Sequence, residues 1–148
     1  MLLIGTKNTA TQAVPAGNPI LIGDVYRKYC KKNNCGVRAF DTNANSINIQ
    51  HSGIYKVHAT ITFTGDAAGD VTFQLTQGGI AIPGAITTET VTTATTEINT
   101  TSIDYFVLID SVCVLGKPAI LNSNIGVTNT GTVDATVTNF VLNIDKVV

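Results

Sequence analysis

Cys30 and Cys35 are the closest pair of reactive side chains in this sequence, set inside the run Tyr26-Arg27-Lys28-Tyr29-Cys30-Lys31-Lys32-Asn33-Asn34-Cys35. A segment this short can close a disulfide in an oxidising exterior, and the same two residues can equally remain thiols. Zinc would need further ligands, and Cys113, His51 and His58 lie far away without ligand spacing, so no metal and no cofactor is expected. His51-Ser52 is only a neighbour pair, and adjacent residues of a strand point to opposite faces, which leaves neither histidine with a nucleophile. Glu89 and Glu97 are the only glutamates available to a carboxylate pair of the glycosidase kind. Asp66 and Asp70, in Gly65-Asp66-Ala67-Ala68-Gly69-Asp70, read as turn formers rather than calcium ligands. Asn99-Thr100-Thr101 matches a glycosylation sequon, but without a secretory signal that match carries no weight. No phosphate loop or nucleophile elbow is present, and the expectation is a protein that is not an enzyme.

Most of the positive charge is gathered in Arg27, Lys28, Lys31, Lys32 and Arg38, with Tyr26 and Tyr29 interleaved. Such a segment is either a solvated loop or a docking patch for an acidic surface. Globally the chain is not basic: its formal net charge is −1, which argues against nucleic acid as a partner because phosphate binding needs a cationic surface.

These groups must be held by β-structure. Threonine is the most frequent residue, followed by isoleucine and valine, and such β-branched side chains suit a pleated, half-buried surface. The chain of 148 residues is long enough for one domain with a real core. Turn residues at short intervals divide it into about ten strands. These are expected at Leu2 to Thr6, Pro19 to Gly23, Gly36 to Phe40, Ser46 to Gln50, Gly53 to Thr64, Asp70 to Gln77, Ala85 to Thr93, Thr100 to Leu115, Ala119 to Asn129 and Thr132 to Val147. The clearest begins at Gly53: Tyr55, Val57, Ala59, Ile61 and Phe63 share one face, while Lys56, His58, Thr60 and Thr62 share the other. With no convincing helix, the pattern indicates a sandwich or barrel.

Two strands depart from simple alternation. Ile103 to Ile109 carries apolar side chains on both faces, so one face can meet the core and the other must meet something else. In the last strand Val133, Ala135 and Val137 hold one parity and Phe140, Leu142 and Ile144 the other, which requires a bulge near Thr138-Asn139 or a partner contact. Only 13% of residues are charged, against roughly 25% in an average soluble domain, while 44% are hydrophobic. No run approaches the roughly 18 apolar residues of a membrane helix, so no membrane is expected and the apolar excess points to subunit interfaces.

Four segments carry a family resemblance: Gln12-Ala13-Val14-Pro15-Ala16-Gly17-Asn18-Pro19-Ile20-Leu21-Ile22; Ser46-Ile47-Asn48-Ile49-Gln50 leading into Gly53-Ile54-Tyr55-Lys56-Val57; Gly79-Ile80-Ala81-Ile82-Pro83-Gly84; and Ala135-Thr136-Val137 through Leu142-Asn143-Ile144-Asp145-Lys146-Val147. In their order the chain, from about Gln12 to the end, resembles the tumour necrosis factor and complement globular-head superfamily. Within it, the similarity is to the bacterial and bacteriophage branch that includes the C-terminal domain of the exosporium collagen-like glycoprotein. The resemblance implies an all-β, ten-stranded jelly-roll sandwich assembling as a homotrimer. It makes Ile103 to Ile109 the axis strand, with Tyr105, Phe106 and Leu108 at the trimer interface, and Tyr55 a core residue. Residues 1–14 would form an N-terminal arm or first strand and residues 15–148 the jelly roll.

The chain departs from that family in lacking a collagen-like stalk and a secretory signal, and in adding the segment from Tyr26 to Cys35. A stalkless, signal-free trimeric head fits a virion protein made in a bacterial cytoplasm, a capsid decoration or head-fibre protein that stabilises the capsid or binds a surface. Its partners would be the major capsid protein or another virion protein, and a host-surface glycan, with Arg27, Lys28, Lys31 and Lys32 as the docking loop. The alternative is a trimeric binding head on a bacterial cell or spore surface.

Overall fold

The computed structural model describes residues 2–30, 40–120 and 123–148, and these contain thirteen strands and no helix. In chain order they are β1 (Leu2–Asn8), β2 (Gln12–Val14), β3 (Asp24–Cys30), β4 (Phe40–Thr42), β5 (Ile47–Ile49), β6 (Gly53–Gly65) and β7 (Gly69–Gln77). They continue with β8 (Ile80–Val91), β9 (Ile98–Ile109), β10 (Ser111–Val114), β11 (Lys117–Ile120), β12 (Asn124–Asn129) and β13 (Ala135–Lys146). The first sheet runs β3-β1-β13-β6-β9 with β2 beside β13, and the second runs β4-β5-β12-β7-β8. These two five-strand paths are the ten strands of a jelly roll; β2 and the separate β10–β11 hairpin are additions to it.

Alternation dictates the layering. Tyr55, Val57, Ala59, Ile61 and Phe63 of β6 are fully buried, facing Val71, Phe73 and Leu75 of β7 across the sandwich. Phe63 meets Phe73 edge to face at 5.1 Å between ring centroids, and Phe40 meets Tyr55 at 6.2 Å. The Tyr55 hydroxyl donates to the His51 carbonyl at 2.9 Å, and burial pushes its phenol up to about 12. Asn129, also buried, donates its amide to the carbonyls of Val14 and Val133 and accepts from the Gly131 N–H, so the polar group costs little inside the core.

The change of parity in the last strand is a bulge. The pairing of β13 with β6 slips between Val137 and Asn139, so that both Val137 and Phe140 are buried. Near the N-terminus β1 lies between β13 and β3, β2 pairs with β13, and Leu2, Ile4 and Val14 belong to the core. Pro19 to Gly23, by contrast, is not a regular strand. Ile20 and Ile22 are buried as alternation requires, but the segment makes only an isolated bridge, Pro19 to Thr128. The long strand expected from Thr100 to Leu115 is interrupted at Asp110, whose carboxylate accepts from the Ser111 N–H.

Candidate functional site

The outward face of the first sheet gathers side chains that the sequence scatters from Leu3 to Asp145. Antiparallel register aligns them in rows across the strands. One row reads Asp104 (β9), His58 (β6), Asn143 (β13), Gly5 (β1) and Arg27 (β3). The next reads Phe106, Lys56, Asp145, Leu3 and Tyr29, and beyond it Leu108 stands opposite Ile54.

Within the first row His58 Nδ1 lies 2.7 Å from Asp104 Oδ1, and His58 Nε2 lies 3.0 Å from Thr60 Oγ1. On the far side Tyr26 donates its hydroxyl to Asn143 Oδ1 at 2.7 Å, and the Arg27 guanidinium sits 5.7 Å from the Tyr26 ring centroid. Gly5 makes this possible: a Cβ there would meet Asn143 Oδ1 at 2.4 Å and the Tyr26 ring at 2.8 Å, so only glycine lets the tyrosine lie flat across the sheet. Asp104, His58 and Thr60 have the order of a nucleophilic triad. The neighbouring backbone of β6 is engaged in ladders with β13 on one side and β9 on the other, so no pair of free N–H groups is directed at an oxyanion. Among the described residues no group of three or more His, Cys, Asp or Glu is placed to hold a metal ion.

The face continues into an apolar border. Phe106 and Leu108 are 59% and 60% exposed on edge strand β9, which is far above what a core residue shows. Ile98 lies on the same strand, and Ile80 and Ile86 on the adjoining edge strand β8; all three are exposed too. The two edges are stitched together by Thr87 and Thr101, whose hydroxyls are 2.5 Å apart, and the Gln77 amide at the end of β7 donates to the Leu108 carbonyl of β9 at 2.8 Å.

No protein-family model and no curated protein sequence matches the chain. Solved structures do match it. The globular domain of zebrafish complement 1qA protein aligns with a TM-score of 0.61 at 9% identity over 100% of this chain and 98% of that one. Eiger TNF from S. frugiperda aligns at 0.52 and 13% identity, over 100% of this chain and 94% of the other. PRD1 vertex protein P5 aligns at 0.53 and 13% identity, over 97% and 93%. The fold is the TNF and complement 1q type of jelly roll.

Against that fold the residues expected from the sequence separate into three groups. Phe106 and Leu108 point outward, whereas Tyr105 has the opposite parity, packs half-buried against the core and donates to the Pro83 carbonyl at 3.5 Å. Arg27 and Lys28, expected on a docking loop, lie on a strand instead. Asp24–Cys30 is an edge strand paired with β1, and the bulge between Gly5 and Thr6 breaks its alternation and hid it from pattern reading. Lys28 donates to the Phe40 carbonyl at 3.1 Å, closing the open end of the sandwich, while Arg27 joins the polar row. Cys30 ends β3 half-buried against the core. Lys31, Lys32 and Cys35 lie outside the described residues. The His58–Asp104 pair and the Tyr26–Asn143 bond had no signature in the sequence, because each joins residues whose adjacency is created only by sheet register.

Proposed function

We propose that this chain is a non-enzymatic structural and binding protein that forms a homotrimer, with the outward face of the first sheet and the β8–β9 edge as its subunit contacts. The observation that carries the reading is the exposure of Phe106 and Leu108 beside Ile54, a cluster of large apolar side chains on a chain with little charge elsewhere to keep it soluble. Closed three-fold contacts would bury that border and leave the second sheet outward. The kinship of fold with complement 1q and TNF domains supports a binding role, and the likeness to PRD1 vertex protein P5 supports placement on a virus particle, as a capsid decoration or head-fibre protein of a bacteriophage. Attachment to an acidic capsid surface would use the basic segment that follows β3, with Lys31 and Lys32 as its contacts.

Sedimentation of the purified chain tests the assembly directly, and a stable monomer at micromolar concentration would remove it. Attachment is tested by mixing the protein with particles lacking it. The double substitution Lys31→Ser, Lys32→Ser should leave the trimer intact and weaken attachment, as should raised salt, since screening acts within about 10 Å at 0.1 M. Attachment unchanged by both would move the contact away from this segment.

A further inference from the structure

The second sheet carries on its outward face a groove of about 770 Å³. Its floor is β12 and β7, contributing Asn124, Thr128 and Thr76, and one wall is the turn that holds Asn43, Asn45 and Ser46. The turn is fixed over the sheet by its Asn43 N–H to Ser46 carbonyl bond of 2.9 Å and by the absence of a side chain at Gly126, where a Cβ would meet the Asn45 carbonyl at 2.6 Å. The opposite wall is the β7–β8 hairpin, whose Gly78 N–H donates to the Asn124 carbonyl at 2.8 Å. The groove is therefore a built feature, held by three segments of backbone.

Its chemistry is narrow. None of the residues lining it is charged and none is aromatic; the lining is carboxamide, hydroxyl and glycine, with Pro19 and Ala81 as its only larger apolar members. Asn124 lines the groove, and its Oδ1 is buried without a hydrogen-bond partner among the described residues. A phosphate or sulfate group would find no cation, an apolar ligand no greasy wall, and a peptide strand no unpaired sheet edge at the floor, since β12 is flanked by β5 and β7. Clustered amides and hydroxyls instead match a ligand that is itself a dense array of neutral hydroxyls.

We propose that this groove binds a neutral oligosaccharide through Asn43, Asn45, Thr76, Asn124 and Thr128. The proposal gives the surface-binding part of the function above a site and a ligand class, and it does not depend on the subunit contacts. Without an aromatic ring to stack on a sugar, each site binds weakly, in the millimolar range, and useful attachment comes from several sites acting together.

Saturation-transfer NMR on the intact chain tests it, with tetrasaccharides of glucose, mannose, galactose and N-acetylglucosamine as neutral probes and a sulfated heparin tetrasaccharide as the acidic one. Transfer to at least one neutral probe and none to heparin is expected. Asn124→Ala should weaken that binding about three- to tenfold, the scale of one neutral hydrogen bond. Ala81→Arg, at an exposed groove position, should abolish it with the melting temperature unchanged, and Thr88→Ala, on the same sheet outside the groove, should not alter it. Transfer to none of the neutral probes at millimolar sugar, preference for heparin, or binding that survives Ala81→Arg would each overturn the proposal. Sedimentation of the same samples reports the trimer separately, so failure of the groove and failure of the assembly are distinguishable.

Discussion

The two outward faces of this sandwich are built by the same alternation and differ in everything the alternation leaves free. The first sheet presents Asp104, His58, Lys56, Asp145 and Arg27 in register, bordered by Phe106, Leu108 and Ile54. The second presents Thr72 against Thr88, Gln74 against the exposed Ile86, and Thr76, Thr128 and Asn124, with carboxylates toward its margins at Asp41 and Asp70. Opposite charges placed beside exposed aromatic and aliphatic groups suit contact with a surface of defined shape and charge, where register matters. Hydroxyls and amides suit water and neutral polar ligands. The inner faces are interchangeable in kind, both isoleucine, valine and phenylalanine; function is written on the outer ones.

The largest effect that would break this contrast is at the apolar border. Phe106→Asp or Leu108→Asp should dissociate the trimer, because obligate interfaces bury about 2,000–5,000 Å² and do not tolerate an unpaired charge. A matching aspartate at Thr88 on the second sheet should leave the assembly unchanged, and sedimentation velocity on the three variants compares the faces directly. Assembly unchanged in all three variants would mean that neither site lies in an interface, and dissociation of all three that both do.

Next in size is the division between inside and outside along β6. Phe63→Ala should lower stability by about 3–5 kcal/mol in denaturant unfolding, since it empties a fully buried site against Phe73. Its neighbour Thr62 faces outward, bonded to the Thr100 hydroxyl at 3.1 Å, and Thr62→Ala should cost about 1 kcal/mol or less in a monomeric background such as Phe106→Asp. A cost similar to that of Phe63 would show that the strand is buried on both sides within one subunit.

The His58–Asp104 pair sharpens the comparison further. Its side chains are 40% and 54% exposed in the single chain, so a double-mutant cycle with alanine should give a coupling below about 1 kcal/mol when the protein is monomeric. In the assembled protein the same cycle should give a larger coupling, as the pair loses water. A coupling that is the same in both states would place the pair outside the contact.

The smallest effect concerns the turn between β8 and β9. The Thr93 N–H, the Thr92 hydroxyl and the Thr92 N–H all donate to the Glu97 carboxylate, at 2.9, 2.7 and 2.8 Å, and hold it below the usual carboxylate range. A depressed folded value means the contribution is present above the unfolded value and lost as pH falls through the folded one. Amide exchange at Thr92 and Thr93, corrected for its intrinsic pH dependence, should lose protection in acid in the unmutated chain. Glu97→Gln should remove that pH-dependent change.

Much of the sandwich could be read directly. A strand with period two and one buried face admits one arrangement of its side chains, so Tyr55 through Phe63 declared the core, and the reversal of parity after Val137 declared a bulge. The doubly apolar segment from Ile103 to Ile109 likewise announced that its second face needed an explanation, and the structure leaves Phe106 and Leu108 standing out of the sheet. These are local properties, fixed by which residues sit two apart.

What the sequence could not decide was which strands lie side by side. Asp24–Cys30 looked like a basic loop because a bulge and five polar or aromatic residues in seven obscure its alternation, and its strand character comes from the ladder it makes with β1. The row Asp104, His58, Asn143, Gly5 and Arg27 exists only once five strands far apart in the chain are laid in register, and the neutral groove only once the Asn43–Ser46 turn and the β7–β8 hairpin flank β12. Alternation is set by the pleat of one strand and is therefore written along the chain. Sheet order is set by long-range backbone pairing that any β-strand can offer, so the surfaces built across strands belong to the tertiary structure alone.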